Sequence, residues 1–469
     1  MTLRRGSWLA VLLAIAVLLV GACAAPAAPA PAASEASSGE AQEAVASGPV
    51  ELNVWAEAND VEHWRADGPA KAAEMVTDFD ITVTPLNDDA GWADYKKKFT
   101  LAADAGEAPD IVLSGHEDVP VWANAGYIVD FGFCKEKYPE FADVIDSLWE
   151  AATWHGNVWA VPQDTEARPM FYNKAKLAEL GWSQEEIDSL PDRIMNGEFT
   201  LDDMIATAKE AIDAGVVEPG YGYWHRPTKG GDYLQYYFSY GGKLYDAEQD
   251  KLVVDQEALQ NWYAFQRRVV EVGITPENYI GTEFSIWHDT VSHGNVLFWN
   301  GGIWQWADWA KNYVADLGGQ DYLFDFVGFA LQPSGIKGQP GGTLSHPLVY
   351  MITSEKASGA ANQEAACALL AKTTTPEINT LHAVESTHLG ILKSQADYED
   401  YASDRLLSET LYMLDHNYYQ PNHVMYGPYF DIVWDFMVKA ENGDLSPEEA
   451  ANGAVELLQA ELGDQVIVQ

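Results

Sequence analysis

Strand-like and helix-like segments alternate in the chain directly after residue 48. Residues 51–55 and 81–84 alternate polar and apolar side chains, and residues 110–113 form a short apolar run, so all three predict strands. Residues 69–76 and 95–105 lie between them and carry the spaced apolar residues of helices. This β-α-β-α-β order predicts an α/β fold with a mostly parallel sheet flanked by helices. Ligands of such sheets bind beyond the carboxyl ends of the strands.

Helical patterns continue through the rest of the chain and alternate with loops rich in Gly and Pro. Thr200, Asp255 and Ser446 stand at positions where N-caps are expected. The further helices are predicted over residues 140–152, 174–180, 201–214, 256–272, 357–371, 404–414, 429–441 and 447–463.

The N-terminus has the layout of an export signal. Arg4 and Arg5 precede an apolar stretch over residues 8–20, which predicts a signal peptide over residues 1–22. Cys23 follows Val-Gly-Ala, which is similar to a bacterial lipoprotein box, so we expect Cys23 to be lipidated and the protein to be extracytoplasmic and anchored to the cell membrane. Ordinary secretion, with cleavage near the following Ala-x-Ala run, is the alternative. Residues 23–48, rich in Ala, Pro and Ser, predict a disordered tether.

The chain is strongly acidic, with 71 Asp and Glu against 27 Lys and Arg and a formal net charge of −44. A surface of this sign repels phosphate backbones and anionic headgroups, so we expect no nucleic-acid partner. It also disfavours anionic substrates, although a local field can oppose the global charge. An adaptation for solubility explains the composition equally well.

Few residues suggest cofactor or metal chemistry. Apart from Cys23, the cysteines are Cys134 and Cys367, which are either paired in an oxidising compartment or two separate buried thiols. Two cysteines support neither a zinc cluster nor an iron–sulfur site. The Asp-x-Glu-x-Asp run at residues 246–250 fits a hairpin turn better than a calcium loop. We therefore expect no cofactor and no metal.

Several motifs, taken in order, resemble the extracellular solute-binding proteins of ABC sugar importers, the maltose-binding-protein-like group. His-Gly-Asn-Val-Trp-Ala-Val-Pro at residues 155–162, followed by Glu166-Ala-Arg168, is similar to the first crossing between the lobes of that family. The other matching segments are residues 108–112, 122–130, 171–174, 300–304, 333–335, 341–343 and 426–429. The resemblance covers essentially the whole chain after residue 48.

The resemblance implies a periplasmic-binding-protein-like fold of type II, with two lobes hinged by three crossings. The N-terminal lobe would comprise residues 49–164 and 345–393, and the C-terminal lobe residues 165–344 and 394–469. Cys134 and Cys367 would then share a lobe, which favours a disulfide bond. The implied function is capture of a sugar or oligosaccharide and its delivery to ABC permease subunits, by a monomer without enzymatic activity. A secreted glycoside hydrolase and a binder of a metal or peptide are the alternatives.

The resemblance also implies binding residues. Trp304 matches the tryptophan of Asn-Gly-x-x-Trp that stacks on the sugar in this family, and Tyr429 or Tyr426 would face it. Glu166 occupies the position of a carboxylate that binds hydroxyl groups, and Arg168 would hold adjacent hydroxyls with it.

Further candidates come from neighbouring loops. Glu117 and Asp118 follow the third predicted strand, and Ser345 lies at a later crossing. Trp224, Asp232 and Tyr233 would line the side of the C-terminal lobe. Ser114 replaces the tryptophan that maltose-binding protein carries after its third strand, so the resemblance does not imply maltose itself.

Overall fold

The structure, a computed structural model, describes residues 48–469. The predicted signal peptide, lipidated Cys23 and nearly all of the tether lie outside the described residues. Within residues 48–469, no helix has both the length and the apolar character needed to cross a membrane.

The strands β1 to β16 of the described part are short apart from the first two. In chain order they are Val50–Glu57, Ile81–Asp88, Ile111–Gly115, Thr153–Trp154, Asn157–Val158, Val161–Pro162, Met170–Asn173, Tyr223–Trp224, Tyr245–Asp246, Lys251–Val254, Phe298–Asn300, Val327–Ala330, Thr343–Leu344, Leu348–Ile352, Asn417–Tyr418 and Val466–Val468.

The α-helices α1 to α21 of residues 48–469 range from single turns to about four and a half turns. In chain order they are Trp64–Ala72, Trp92–Ala105, Val119–Ala125, Gly132–Lys137, Leu148–Ala151, Lys174–Glu179, Gln184–Asp188, Leu190–Met195, Leu201–Asp213, Leu234–Ser239, Gln256–Glu271, Phe284–Ser292, Gln305–Asp308, Gln320–Phe326, Glu355–Ser358, Gln363–Thr373, Pro376–Ser386, Glu399–Ala402, Arg405–Thr410, Tyr426–Asn442 and Pro447–Leu462.

The sheets confirm the α/β prediction but are mixed rather than mostly parallel. The first sheet has the order β2-β1-β3-β14-β6. Strand β1 is parallel to β2 and β3, whereas β14 is antiparallel to both β3 and β6. The second sheet has the order β12-β7-β11-β8, and only its β11–β8 pair is parallel. The antiparallel strands β6, β7 and β14 adjoin the segments that connect the two sheets, so they do not arise from local β-α-β units.

Two separate hydrophobic cores surround these two sheets. The first core takes its residues from positions 52–161 and 348–392, and the second from 167–344 and 383–466. The chain therefore passes between them over residues 162–166 and 345–347 and again beyond 392. Helix α17 borders both, because Ile378 belongs to the first core and Ala383 to the second.

Local side-chain hydrogen bonds explain where several helices begin. Thr200 and Ser446 each form a capping box, with Asp203 and Glu449 respectively, and Asp255 accepts from the backbone N–H of Ala258 at 2.9 Å. All three predicted N-caps are confirmed. Each cap satisfies a backbone N–H that the first turn of a helix leaves without an intrahelical partner.

Other local predictions differ in their outcome. The Asp-x-Glu-x-Asp run forms the predicted hairpin between β9 and β10, where Asp246 Oδ1 accepts from the backbone N–H groups of Glu248 and Gln249. The predicted helix over residues 140–152 is wrong. Val144 is extended and bridges to Leu392, which confines helical structure to a 3₁₀ turn before it and to α5 after it.

A disulfide bond joins Cys134 in α4 to Cys367 in α16, with Cα atoms 5.5 Å apart. Both residues are fully buried in the first core. They are 233 residues apart in sequence, so the bond covalently links two segments of that core whose backbone connection runs through the second core.

We predict that the double variant Cys134→Ala, Cys367→Ala unfolds with a free energy lower by about 2–5 kcal/mol, because a long closed loop is lost from the unfolded chain. Urea denaturation measures this change. Reductant is expected to lower the stability of the wild-type protein by a similar amount and to leave the variant unchanged. Equal stability of variant and wild type would contradict a structural role for the bond.

Candidate functional site

A cavity of about 530 Å³ lies between the two cores. The first core contributes the turn that follows β3 and the N-terminal part of α2. The second core contributes Trp304 at the start of α13 and the loop before α10. The crossing segments supply Glu166 and His346, and Arg168 follows the first crossing. The cavity thus borders the carboxyl end of β3, as expected for an α/β sheet.

The lining of the cavity differs from the rest of the chain in its charge. Five cationic and five acidic side chains face it, although acidic residues outnumber basic ones 71 to 27 in the whole sequence. These residues are Arg65, Lys96, Arg168, Arg226 and Lys229, and Glu62, Glu117, Asp118, Glu166 and Asp431. The cavity therefore presents balanced donors and acceptors inside a strongly acidic protein.

Arg168 is the centre of a buried ion-pair network. Its Nε donates to Asp232 Oδ1 at 2.5 Å, and its Nη2 contacts the Glu166 carboxylate. Arg226 Nη1 donates to the other oxygen of Asp232 at 2.7 Å. Asp232 is only 1% exposed, so it holds two guanidinium groups from behind the cavity wall. Their remaining N–H groups have fixed directions, which suits paired hydrogen bonds to a ligand.

Burial gives Glu166 an unusual protonation equilibrium. Removal from water raises the pKa of Glu166 to about 7, although the positive charge of Arg168 acts in the opposite direction. A carboxyl group in this range donates one hydrogen bond when protonated and only accepts when ionised. Glu166 can therefore either donate a hydrogen bond to a hydroxyl group or accept one from it.

Trp304 can lie against the cavity because Gly302, two residues earlier, has no side chain. The indole ring passes so close to Gly302 that a Cβ atom there would lie 1.7 Å from it. The Arg168 guanidinium carbon is 4.9 Å from the ring centroid, and the His388 ring stacks on it at 5.8 Å. The Asn-Gly-Gly-Ile-Trp sequence thus fixes a flat aromatic surface beside the charged network.

On the opposite wall, Lys96 and His346 hold the two acids that follow β3. Lys96 Nζ lies 2.7 Å from Glu117 and 2.8 Å from Asp118. His346 Nε2 lies 2.6 Å from the second oxygen of Glu117. Burial opposes the charge of Glu117, but His346 and Lys96 outweigh it and hold the pKa of Glu117 well below its usual value. Burial likewise opposes the charge of His346, and Glu117 raises the pKa of His346 above its usual value.

A third charged group lies beneath the cavity. Arg65, which is 3% exposed, contacts Glu62 at 2.9 Å and Asp164 at 3.6 Å. His382 Nε2 is 3.1 Å from the same Asp164 carboxylate. Burial opposes the charge of Asp164, but the neighbouring His388, His382 and Arg65 lower its pKa far below the usual value. This network joins α1 and α17 to the first crossing.

The structure brings only part of the predicted set to the cavity. Trp304, Glu166, Arg168, Glu117 and Asp118 line it, and Asp232 and Ser345 lie directly behind it. Ser345 Oγ is 2.6 Å from Thr165 Oγ1, within the crossing itself.

The other predicted residues lie in the second core. The Tyr233 hydroxyl bonds to His225 and Arg226, and Trp224 Nε1 donates to Gly220 O at 2.6 Å. The Tyr429 hydroxyl donates to Val253 O at 2.8 Å, because this side of α20 packs on β10 and α11. Tyr426, the alternative to Tyr429, lines the cavity at the start of the helix.

Sequence reasoning missed several lining residues, namely Arg65, Trp92, Lys96, Arg226, His388, Gln420 and Phe430. No local pattern marks most of them, since they come from segments far apart in sequence. Phe430 is the exception, because it directly follows Tyr429 in the motif that already suggested an aromatic binding residue.

Comparison with known proteins places this site in a family context. The sequence model of a family described as "Bacterial extracellular solute-binding protein" matches residues 64–380. A lipoprotein of Streptomyces antibioticus, described as an uncharacterized lipoprotein in the oleD 5' region, is 26% identical over 138 residues. That match spans 29% of this chain and 29% of the relative.

Solved structures with the same fold cover most of the chain. The GacH receptor of Streptomyces glaucescens GLA.O, determined unliganded and with acarbose, has a TM-score of 0.70 at 18% identity and covers 88% of this chain and 98% of its own. The sugar-binding protein MalE of Xanthomonas citri has a TM-score of 0.71 at 16% identity, with coverages of 88% and 98%. A solute-binding protein of Thermotoga lettingae TMO bound with α-D-tagatose has a TM-score of 0.69 at 21% identity, with coverages of 88% and 100%.

We predict that Asp232→Asn lowers the free energy of unfolding by about 3–5 kcal/mol, because it removes the carboxylate shared by the buried Arg168 and the partly buried Arg226. Asp431→Asn is the matched control, since Asp431 is exposed and pairs only with Lys229. Its effect should be below about 1 kcal/mol. Chemical denaturation of both variants measures the difference, and similar stabilities for the two would contradict the network.

We also predict a pH-dependent effect of Glu166→Gln. The native pKa of about 7 exceeds the ordinary 4.5, so the native protein binds more protons than the unfolded chain between these values. The Glu166 contribution to stability therefore falls as pH rises from 4.5 to 7, and a glutamine lacks this loss.

Relative to wild type, the unfolding free energy of Glu166→Gln should thus rise by up to about 3 kcal/mol over this range. Urea denaturation at a series of pH values checks it, with the exposed Glu185→Gln as control. A difference independent of pH would count against the raised pKa.

Proposed function

The chain belongs to the bacterial extracellular solute-binding protein family, and we propose that its solute is a neutral sugar or oligosaccharide, delivered to the permease of an ABC importer. The observation that carries this proposal is the composition of the cavity. Balanced ion pairs supply both donors and acceptors, and Trp304 supplies a flat apolar surface beside them. A sugar presents the matching surfaces, a rim of hydroxyl groups and apolar C–H faces.

The two hydrophobic cores support a two-lobe mechanism. We propose lobes of residues 49–164 with 345–393 and of residues 165–344 with 394–469, hinged at the crossings. Glu117 and Asp118 then belong to one lobe, and Arg168, Arg226 and Trp304 to the other. A solute that stacks on Trp304 would complete its hydrogen bonds when the first lobe closes on it.

The buried network explains how such a site would discriminate between solutes. Asp232 fixes the Arg168 and Arg226 side chains, so their donors do not reorient for a different ligand. A solute without the matching acceptor would leave a buried donor unpaired, which costs about 1–3 kcal/mol. Specificity would therefore come from the placement of hydroxyl groups.

The anchor and the transport partner belong to the same proposal. Cys23 would carry a lipid outside the cytoplasmic membrane, and residues 24–48 would tether the folded part beside the permease. The family's extracellular description and the lipoprotein relative support this arrangement. We propose binding without catalysis, in line with the printed descriptions of the GacH receptor and MalE.

The experiment that tests the function is a thermal-shift screen of the protein against neutral mono- and oligosaccharides. A solute that binds only the native state raises the melting temperature in a concentration-dependent way. Calorimetry then gives the affinity, which should be micromolar or tighter, about −8 kcal/mol or below. The same mixtures, analysed for cleavage products over hours, distinguish a binding protein from a glycoside hydrolase, since turnover would refute the proposal.

We predict that Trp304→Ala weakens binding of the identified sugar about 5- to 100-fold, or about 1–3 kcal/mol, because the stacking surface is lost. Trp182→Ala is the matched control. Trp182 is also partly buried and also lies under an arginine, Arg193 at 5.5 Å, but it does not face the cavity. Unchanged affinity in Trp304→Ala, measured by titration calorimetry, would remove Trp304 from the site.

A further inference from the structure

Two histidines and a carboxylate meet at the edge of the first sheet. His116 and Glu117 directly follow β3, and His346 lies two residues before β14. These strands are antiparallel with Gly115 opposite Leu348, and the His116 N–H donates to Pro347 O at 3.3 Å. The backbone register therefore fixes the three residues side by side. One ligand atom from each lies within 4.8 Å of those of the other two.

Asn422 determines the tautomer of His116. The Asn422 Nδ2 group donates to two backbone carbonyls, Ala151 O at 2.7 Å and Thr153 O at 3.0 Å. Carbonyl oxygens only accept, so the amide has one possible orientation and directs its oxygen at His116 Nδ1, 2.8 Å away. Nδ1 must then carry the hydrogen, which leaves Nε2 with a free lone pair.

The lone pair of His116 Nε2 is an unsatisfied acceptor within the described part of the chain. His116 is fully buried, and its Nε2 has no hydrogen-bond partner among residues 48–469. A buried acceptor without a donor costs about 1–3 kcal/mol. An oriented imidazole whose other nitrogen donates to a fixed oxygen is the usual arrangement of a metal-binding histidine.

The remaining groups have the charge and geometry for a cation. His346 Nε2 and Glu117 Oε2 are 2.6 Å apart, so one positive charge already lies between them whenever His346 is protonated. Lys96 contacts the other Glu117 oxygen at 2.7 Å, but Asp118 also holds it at 2.8 Å. A metal ion would take the place of the His346 proton, and with His346 neutral the two carboxylates against one ammonium give the cluster a net negative charge.

We propose that His116, Glu117 and His346 bind a divalent transition-metal ion of the Zn²⁺ class. Two imidazoles and one carboxylate form a donor set that binds such ions in preference to Ca²⁺ or Mg²⁺. Asn422 orients His116 and Lys96 orients Glu117 from outside the ligand set. Glu117 and His346 line the cavity, so an ion held by them would be accessible from it. Glu166, Arg168 and Trp304 lie outside the ligand set.

The test is calorimetric titration of Zn²⁺ into the solute-free full-length protein. We expect one strong site per chain, weakened by at least about tenfold in His346→Ala. His346 is partly exposed, so this variant should fold, as circular dichroism checks. His116→Ala should have the same effect. His155→Ala is the matched control, because its exposed imidazole also contacts a single carboxylate, that of Asp250.

Each outcome decides the proposal. Loss of the strong site in His116→Ala and His346→Ala, with His155→Ala unchanged, supports it. Absence of a strong site in the wild-type protein overturns it, as does a site that survives His346→Ala and depends on surface histidines instead. These titrations contain no sugar, so their failure leaves the proposed solute binding intact, and failure of the sugar screen leaves the metal site intact.

Discussion

Arg168 carries a positive charge that is almost completely removed from water, and the structure around the cavity depends on how that charge is matched. An isolated buried guanidinium would be prohibitively unstable, so Asp232 and Glu166 must approach it. Asp232 lies on the loop before α10, and Glu166 lies on the crossing from the first core. One ion pair therefore positions a loop of the second core against the segment that connects the two cores. Arg226 joins the same carboxylate and extends the network to the rim of the cavity.

This arrangement makes the cavity polar and rigid together. Side chains of this length are normally mobile at a surface, and ordering them costs conformational entropy. Here that cost is met during folding, because each charged group already has a partner. The donors that remain are directed before any solute arrives, which is the condition for selective recognition of hydroxyl groups. Trp304 adds an apolar plane, and Gly302 allows that plane to lie close to the backbone.

Local patterns in the sequence predict β1, β2, β3 and the helix N-caps, because these depend on neighbouring residues. They do not predict that β14 enters the first sheet antiparallel, since its partner β3 is more than 200 residues away. The same distinction separates the site residues. Glu166 and Arg168 belong to one recognisable motif, whereas Arg65 and Arg226 come from distant segments that meet at the cavity only because the chain passes between the two cores. Tyr429 and Tyr426 are three residues apart on one helix, and only packing against β10 decides that Tyr429 is buried away from the cavity.

The overall charge of −44 says little about what the cavity accepts. Exposed charges are screened over about 8–10 Å at ordinary ionic strength, so most surface carboxylates contribute little inside the cavity. The groups within contact distance are nearly matched in number, and there the low local dielectric strengthens each pair. The acidic surface and the balanced cavity can therefore serve different purposes, solubility outside and recognition inside. Within the cavity wall, the local surplus of Glu117 and Asp118 over Lys96 likewise favours the proposed cation at His116 and His346.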